Sequence, residues 1–185
     1  MLITISGLPG AGTSTVSQAV AARLGLERLD GGTVFRSMAA DRGMTLAAFG
    51  ALAEGDPSFD LELDGRLAER ARGGGLVLES RLAGWIATNE SLPAVRVWIA
   101  CDDRERARRV AARDGDSLEQ AEATNVARQA SERARYLAYY GIDLADLSIY
   151  ELVLDSTRTS PEALVEAIVA AATGHGIHRP GASSG

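Results

Sequence analysis

The residues best placed for chemistry lie in Gly7-Leu8-Pro9-Gly10-Ala11-Gly12-Thr13-Ser14-Thr15, between an apolar β-branched run, Leu2 to Ile5, and an amphipathic helical pattern from about Ser14. Glycines at 7, 10 and 12 permit backbone geometry that a Cβ resists. Successive amide N–H groups can then converge on phosphate oxygens at a helix N-terminus, whose dipole also favours an anion. The arrangement is that of a phosphate-binding P-loop, G-x-x-x-x-G-K-[ST], with Thr13 where lysine is expected. Ser14 takes the place of the hydroxyl that binds Mg²⁺ on the β/γ-phosphates.

No nearby residue replaces the lysine, because all 19 basic residues are arginine. Charge on a transferring phosphoryl group must be met by arginine, backbone amides and Mg²⁺. Arginine suits the task, since its planar fork binds phosphate at two points and stays protonated. Asp30, Thr33 and Arg36 follow a second short strand, Leu26 to Asp30, and so fall where the first strand delivers its loop. Glu79 ends a third strand, Leu76 to Glu79, where a carboxylate can hold a water of the Mg²⁺ shell, and Arg81 lies just beyond that strand's tip. Arg106, Arg109 and Arg113 recur at helical spacing after a fourth strand, Val95 to Ala100; Arg128 and Arg135 share a face of the next helix. Two arginine-bearing helices joined by Asp114-Gly115-Asp116 fit a lid that closes over phosphates, while Glu105, Glu119, Glu122 and Glu132 would equally serve solvated intrahelical salt bridges.

The elements needed to hold these groups are legible. From Ser37 to about Arg72 the pattern is wholly helical, broken at Gly55-Asp56-Pro57, and fits a substrate-covering insertion or a long crossover. Glu151 to Asp155 reads as the fifth strand, with Ser156-Thr157 at its tip, and Ser160-Pro161 starts a last helix. His175 and His178 in the Gly/Ser-rich end from Gly174 read as a frayed tail and not as metal ligands. At 185 residues the chain fits one domain. The single cysteine, Cys101, excludes an internal disulfide and fits a reducing cytoplasm; no signal peptide or transmembrane run is expected. A net charge of −6 argues against broad nucleic-acid or anionic-membrane binding but leaves room for small anions at local arginine clusters.

Five parallel strands with helices on both faces, a P-loop after the first, a helical insertion after the second and an arginine-bearing lid before the fifth make an α/β P-loop NTPase fold of the nucleoside-monophosphate-kinase kind. The division is a core of 1–36, 73–103 and 144–173, an NMP-binding insertion 37–72, a lid 104–143 and a tail 174–185. The chain resembles the cytidylate kinases, and specifically their short archaeal-type form. The likeness rests on Ile3-Thr4-Ile5-Ser6-Gly7 with the P-loop, Thr33-Val34-Phe35-Arg36, Arg42-Gly43-Met44 through Phe49-Gly50, Leu78-Glu79-Ser80-Arg81-Leu82-Ala83-Gly84-Trp85, and Tyr140-Gly141-Ile142-Asp143 through Tyr150.

The resemblance implies ATP-dependent phosphorylation of CMP and dCMP to the diphosphates; the chain is further expected to act in the cytoplasm as a monomer. The resemblance places Gly7, Leu8, Pro9, Gly10, Ala11, Gly12, Thr13, Ser14 and Thr15 on ATP. It also places Arg36 and Arg81 on the acceptor phosphate. From their places at the strand tips and along the helices, Asp30 and Thr33 are expected beside the acceptor, Mg²⁺ on Ser14 with Glu79 or Asp30 in its outer shell, and Arg109, Arg113, Arg128 and Arg135 closing on the γ-phosphate. Another small-molecule kinase on this fold, or a weakly catalytic nucleotide-binding module suggested by Thr13, stays open at this level.

Overall fold

The computed structural model describes residues 1–175. Its strands are β1 (Leu2–Gly7), β2 (Glu27–Asp30), β3 (Leu76–Glu79), β4 (Val95–Ala100) and β5 (Leu152–Asp155). Its helices are α1 (Thr13–Leu24), α2 (Gly31–Asp41), α3 (Leu46–Gly55), α4 (Pro57–Arg72), α5 (Ala83–Asn89), α6 (Asp103–Asp114), α7 (Leu118–Tyr140) and α8 (Pro161–His175). The strands form one parallel sheet in the order β2-β3-β1-β4-β5.

β1 is buried along its whole length because helices cover both faces of the sheet, which is why its sequence reads as a continuous apolar run. On one face Ile3, Ile5, Val77, Val97 and Ile99 pack with Val16 and Val20 of α1 and with Leu164 and Ile168 of α8. On the other, Leu76 and Leu78 pack with Leu67 and Ala71 of α4, Ile86 of α5 and Tyr136 of α7. Each such fully buried aliphatic side chain contributes roughly 1.5–3 kcal/mol. The connection from β1 therefore leaves by the α1 face and that from β3 by the α5 face. Between these neighbouring strands the chain diverges, leaving a crevice at their carboxyl ends. The register Ile5↔Glu79 and Asp30↔Glu79 brings Asp30 and Glu79 level beneath the loop that follows Gly7.

The helical excursion starts at Gly31 and not at Ser37. Asp30 is the reason: its side chain accepts a hydrogen bond from the Thr33 amide at 3.1 Å and caps α2, so the Gly31-Gly32 pair is drawn into the first turn. Helices α2 to α4 enclose a small core of their own, Met38, Ala39 and Phe49. Within it the Phe49 ring lies 4.7 Å from Phe35 and 5.0 Å from Phe59, with Arg42 over both Phe49 and Phe59. Gly115, in the left-handed conformation, separates α6 from α7. Gly174 and His175 close α8; the rest of the expected tail, with His178, lies outside the described residues. Among the described residues no helix is long and apolar enough to cross a membrane.

Candidate active site

Gly10 and Gly12 adopt φ of 83° and 87°. At Gly10 a side chain is excluded twice over, since a Cβ would also stand 2.5 Å from the Arg106 carbonyl oxygen. Gly12 is the N-cap of α1 and offers no side-chain cap, so the first-turn amides stay available to an anion. Thr13 begins the helix, and its hydroxyl points down to the sheet, where it donates to Glu79 Oε1 at 2.8 Å. Ser14 donates to the same oxygen at 2.7 Å. Ser17, one turn on, donates to Glu79 Oε2 at 2.6 Å. Ser14 and Glu79, both expected at Mg²⁺, thus meet each other directly.

The residues expected at the acceptor gather around Asp30. Thr33 donates to Asp30 through both its amide and its hydroxyl, and Arg36 Nη2 donates to the Thr33 hydroxyl at 2.8 Å. Burial opposes ionisation of Asp30, but the Thr33 hydrogen bonds, with Arg28 and Arg36 nearby, hold its carboxyl below the usual range. Arg36 remains 58% exposed, with its Nη2 3.8 Å from Asp30 Oδ2. Arg81 bridges the two sides: its Nη1 donates to the Gly7 carbonyl at 2.5 Å and its Nε to Glu132 Oε2 at 2.8 Å. Burial again opposes the charge on Glu132, 5% exposed, yet Arg81 and Arg128 together keep its carboxyl below the ordinary value.

The lid arginines divide. Arg109 lies at the loop, where its guanidinium donates to the Ser156 hydroxyl and carbonyl at 3.2 and 2.7 Å and passes beside Gly12. Ser156 in turn donates to the Ala11 carbonyl at 2.8 Å, so the tip of β5 is tied to the phosphate loop. Arg128 donates to Glu132 at 2.8 Å and stays mostly exposed. Arg113 and Arg135 are not brought to the loop in this structure. Arg113, in the last turn of α6, pairs with the adjacent Asp114 and is 66% exposed. Arg135 pairs with Asp60 of α4 at 3.1 Å. Seven residues of helix displace it by about 10 Å from Arg128, which carries it to the insertion.

Several residues take part in the site that the sequence reading does not assign to it. Arg28 on β2 donates to Glu79 Oε2 at 2.5 Å. Arg106, 2% exposed, braces the loop from behind by donating to the Pro9 carbonyl at 3.0 Å and to Gln129 at 3.0 Å. Tyr140 donates to Asp64 at 2.6 Å across the insertion, and burial pushes the Asp64 carboxyl up to about 6. Arg106 did share the arginine stripe of α6, and Ser17 lies three residues from Ser14 on one face of α1. Both were recoverable signals.

The model of the cytidylate kinase-like family matches residues 2–158. The chain belongs to the cytidylate kinase-like family. It is 43% identical over 180 residues to a cytidylate kinase of Halobacterium salinarum, covering 97% of this chain and 93% of that one. To a cytidylate kinase of Pyrococcus horikoshii it is 45% identical over 175 residues, covering 95% and 89%. Among solved structures it is similar to shikimate kinase from Bacteroides thetaiotaomicron, with a TM-score of 0.65 at 13% identity, covering 94% of this chain and 98% of the other. That likeness supports the fold, and the family membership rests on the sequence matches.

Proposed function

We propose that the chain transfers the γ-phosphoryl group of ATP to CMP and dCMP, giving CDP and dCDP. The observation that carries this reading is the reach of Arg81 from the tip of β3 to the Gly7 carbonyl, which joins the acceptor side and the phosphate loop in one crevice. The 43% and 45% identities to cytidylate kinases over nearly the whole chain support the choice of acceptor.

The residues Gly7 to Thr15 cradle the ATP phosphates with backbone amides, and Arg36 and Arg81 hold the phosphate of CMP. A phosphate oxygen of CMP attacks the γ-phosphorus in line as the bond to the β-bridging oxygen breaks, leaving ADP. The acceptor is already an anion, so no strong base is required, and positioning and charge neutralisation suffice. Arg109 meets the γ-phosphate from the loop side. Arg113, Arg128 and Arg135 exchange their carboxylate partners for phosphate as region 104–143 closes over insertion 37–72.

Mg²⁺ fits the donor set. It is commonly held by one or two protein oxygens together with substrate phosphates and water. With its proton committed to Glu79, the Ser14 oxygen presents free lone pairs; Asp30 would hold shell water, and Glu79 would do so by releasing one of its hydroxyl donors. When bound, the ion neutralises charge on the β- and γ-oxygens. The protein is read as a cytoplasmic monomer whose partners are its nucleotides, with no nucleic acid or membrane.

Incubation with γ-labelled ATP, Mg²⁺ and CMP tests the reading: label should appear in CDP. ATP turnover that leaves CMP unlabelled would contradict it.

A further inference from the structure

The phosphate loop carries no lysine, yet the carboxylate beneath it is saturated with donors. Glu79 Oε1 receives the Thr13 and Ser14 hydroxyls. Its Oε2 receives the Ser17 hydroxyl at 2.6 Å, Arg28 Nη2 at 2.5 Å and Arg28 Nε at 3.2 Å. Arg28 Nε also donates to the Ser17 hydroxyl at 2.8 Å, so guanidinium, hydroxyl and carboxylate close a ring behind α1. Glu79 is 8% exposed, and among the described residues its only ion pair is with Arg28. Thr13 cannot contribute charge, and its methyl fills the space against Gly7 where a Cβ would stand 2.7 Å away.

We infer that Arg28 is a positioning residue of the phosphate site: acting through Glu79 from the neighbouring strand, it holds that carboxylate in place as a compensated anion and so sets the direction of the Thr13 and Ser14 hydroxyls. The inference rests on the reading of the loop as the ATP site. Each hydroxyl has one proton to give. While Glu79 is a fixed, compensated anion, both protons are drawn toward the sheet, and the Ser14 lone pairs face the loop's mouth, where a hard cation is taken. Without Arg28, Glu79 becomes a buried anion lacking a counter-charge. It then turns toward whichever cation enters, and the hydroxyls lose their fixed orientation. Groups that orient a metal ligand in this indirect way typically affect metal affinity or activity by 10- to 100-fold.

The test compares wild type with Arg28→Met, which keeps the aliphatic stem, with Arg28→Lys, and with Arg28→Met combined with Thr13→Lys. Titration calorimetry measures ATP binding with and without Mg²⁺, in the absence of acceptor, and steady-state kinetics give kcat and both KM values. Arg28→Met should lose about 10- to 100-fold in the Mg²⁺-dependent part of ATP affinity and in kcat, with a smaller change in the KM for CMP, since Arg28 Nη1 also lies 3.7 Å from Asp30 Oδ2 on the acceptor side. Arg28→Lys should show an intermediate loss, since a point charge keeps the compensation and gives up the forked contact. Lysine at position 13 should restore much of what Arg28→Met removes.

Wild-type Mg²⁺ dependence in Arg28→Met would overturn the inference. So would an equal loss for ATP and CMP with a lowered Tm, or a double variant no better than Arg28→Met. If Arg28→Met does not fold, an unaltered Mg²⁺ dependence in Arg28→Lys overturns it as well. Absence of ATP binding by wild type would instead overturn the functional reading, and this inference with it.

Discussion

Arg81 is committed on two sides, to Glu132 and to the Gly7 carbonyl, and this fixes its fork at the junction of donor and acceptor. Such a group acts on charge that moves between the two nucleotides, so Arg81→Ala should raise the KM for CMP and lower kcat on the order of 10²-fold, the usual effect of removing one preorganised donor. Steady-state kinetics check this, and unchanged constants would remove Arg81 from the site. The position of Arg81 was readable because it directly follows a strand that ends in an acid. Its partner Glu132 was not readable as such. It sits in mid-helix among other acids on α7, and only the crossing of α7 over the sheet distinguishes it from the solvated glutamates around it. The same holds for Arg28, whose side chain reaches over β3 to Glu79, a contact set by strand order and invisible to spacing along the chain.

Helix-to-helix contacts carry the next tests. Tyr140 of α7 is joined to Asp64 of α4, and burial raises the Asp64 carboxyl from 3.8 to about 6. The folded state therefore binds a proton more tightly than the unfolded state. The stability associated with it is present below about pH 4 and lost as pH rises through about 6. A shift of about 2 units corresponds to up to roughly 3 kcal/mol. The unfolding free energy of wild type relative to Asp64→Asn should accordingly fall by up to that amount between pH 4 and 7. A difference constant with pH, measured by urea titration, would contradict the assignment. On the opposite side of the crevice, α5 depends on Gly84, where a Cβ would stand 2.5 Å from Tyr150 Cε1. Tyr150 is itself packed against Trp98, with ring centroids 5.4 Å apart, and has little room to withdraw. Gly84→Ala should destabilise: overpacking of about 1–3 kcal/mol exceeds the gain in helix propensity of up to about 1 kcal/mol. Calorimetric Tm measures the balance, and a raised Tm would show that Tyr150 yields. The short α5 itself gave no periodic signal, since seven residues make barely two turns and no side chain caps it.

At the scale of the molecule, the parallel order β2-β3-β1-β4-β5 gathers Gly7, Asp30, Glu79, Ala100 and Asp155 along the carboxyl end of the sheet. The five strands and the helix start at Ser160 were legible because apolar runs, glycines and caps act locally. The early start of α2 was missed because the Asp30 cap outweighs two glycines that otherwise signal a loop. The site was legible where it follows strand tips, and illegible where α4, α6 and α7 must be placed against one another before Arg135 can meet Asp60 or Arg106 can meet Pro9. All these elements converge on one crevice that brings a nucleotide's phosphates to the phosphate of a second nucleotide. Its most direct test is coupled ADP release with Mg-ATP against CMP, dCMP, UMP, AMP and no acceptor. The account predicts kcat/KM highest for CMP or dCMP, with turnover of about 1 to 100 s⁻¹ and ADP release dependent on acceptor. A clear preference for UMP or AMP, or ATP binding with no acceptor-dependent ADP release at all, would contradict it.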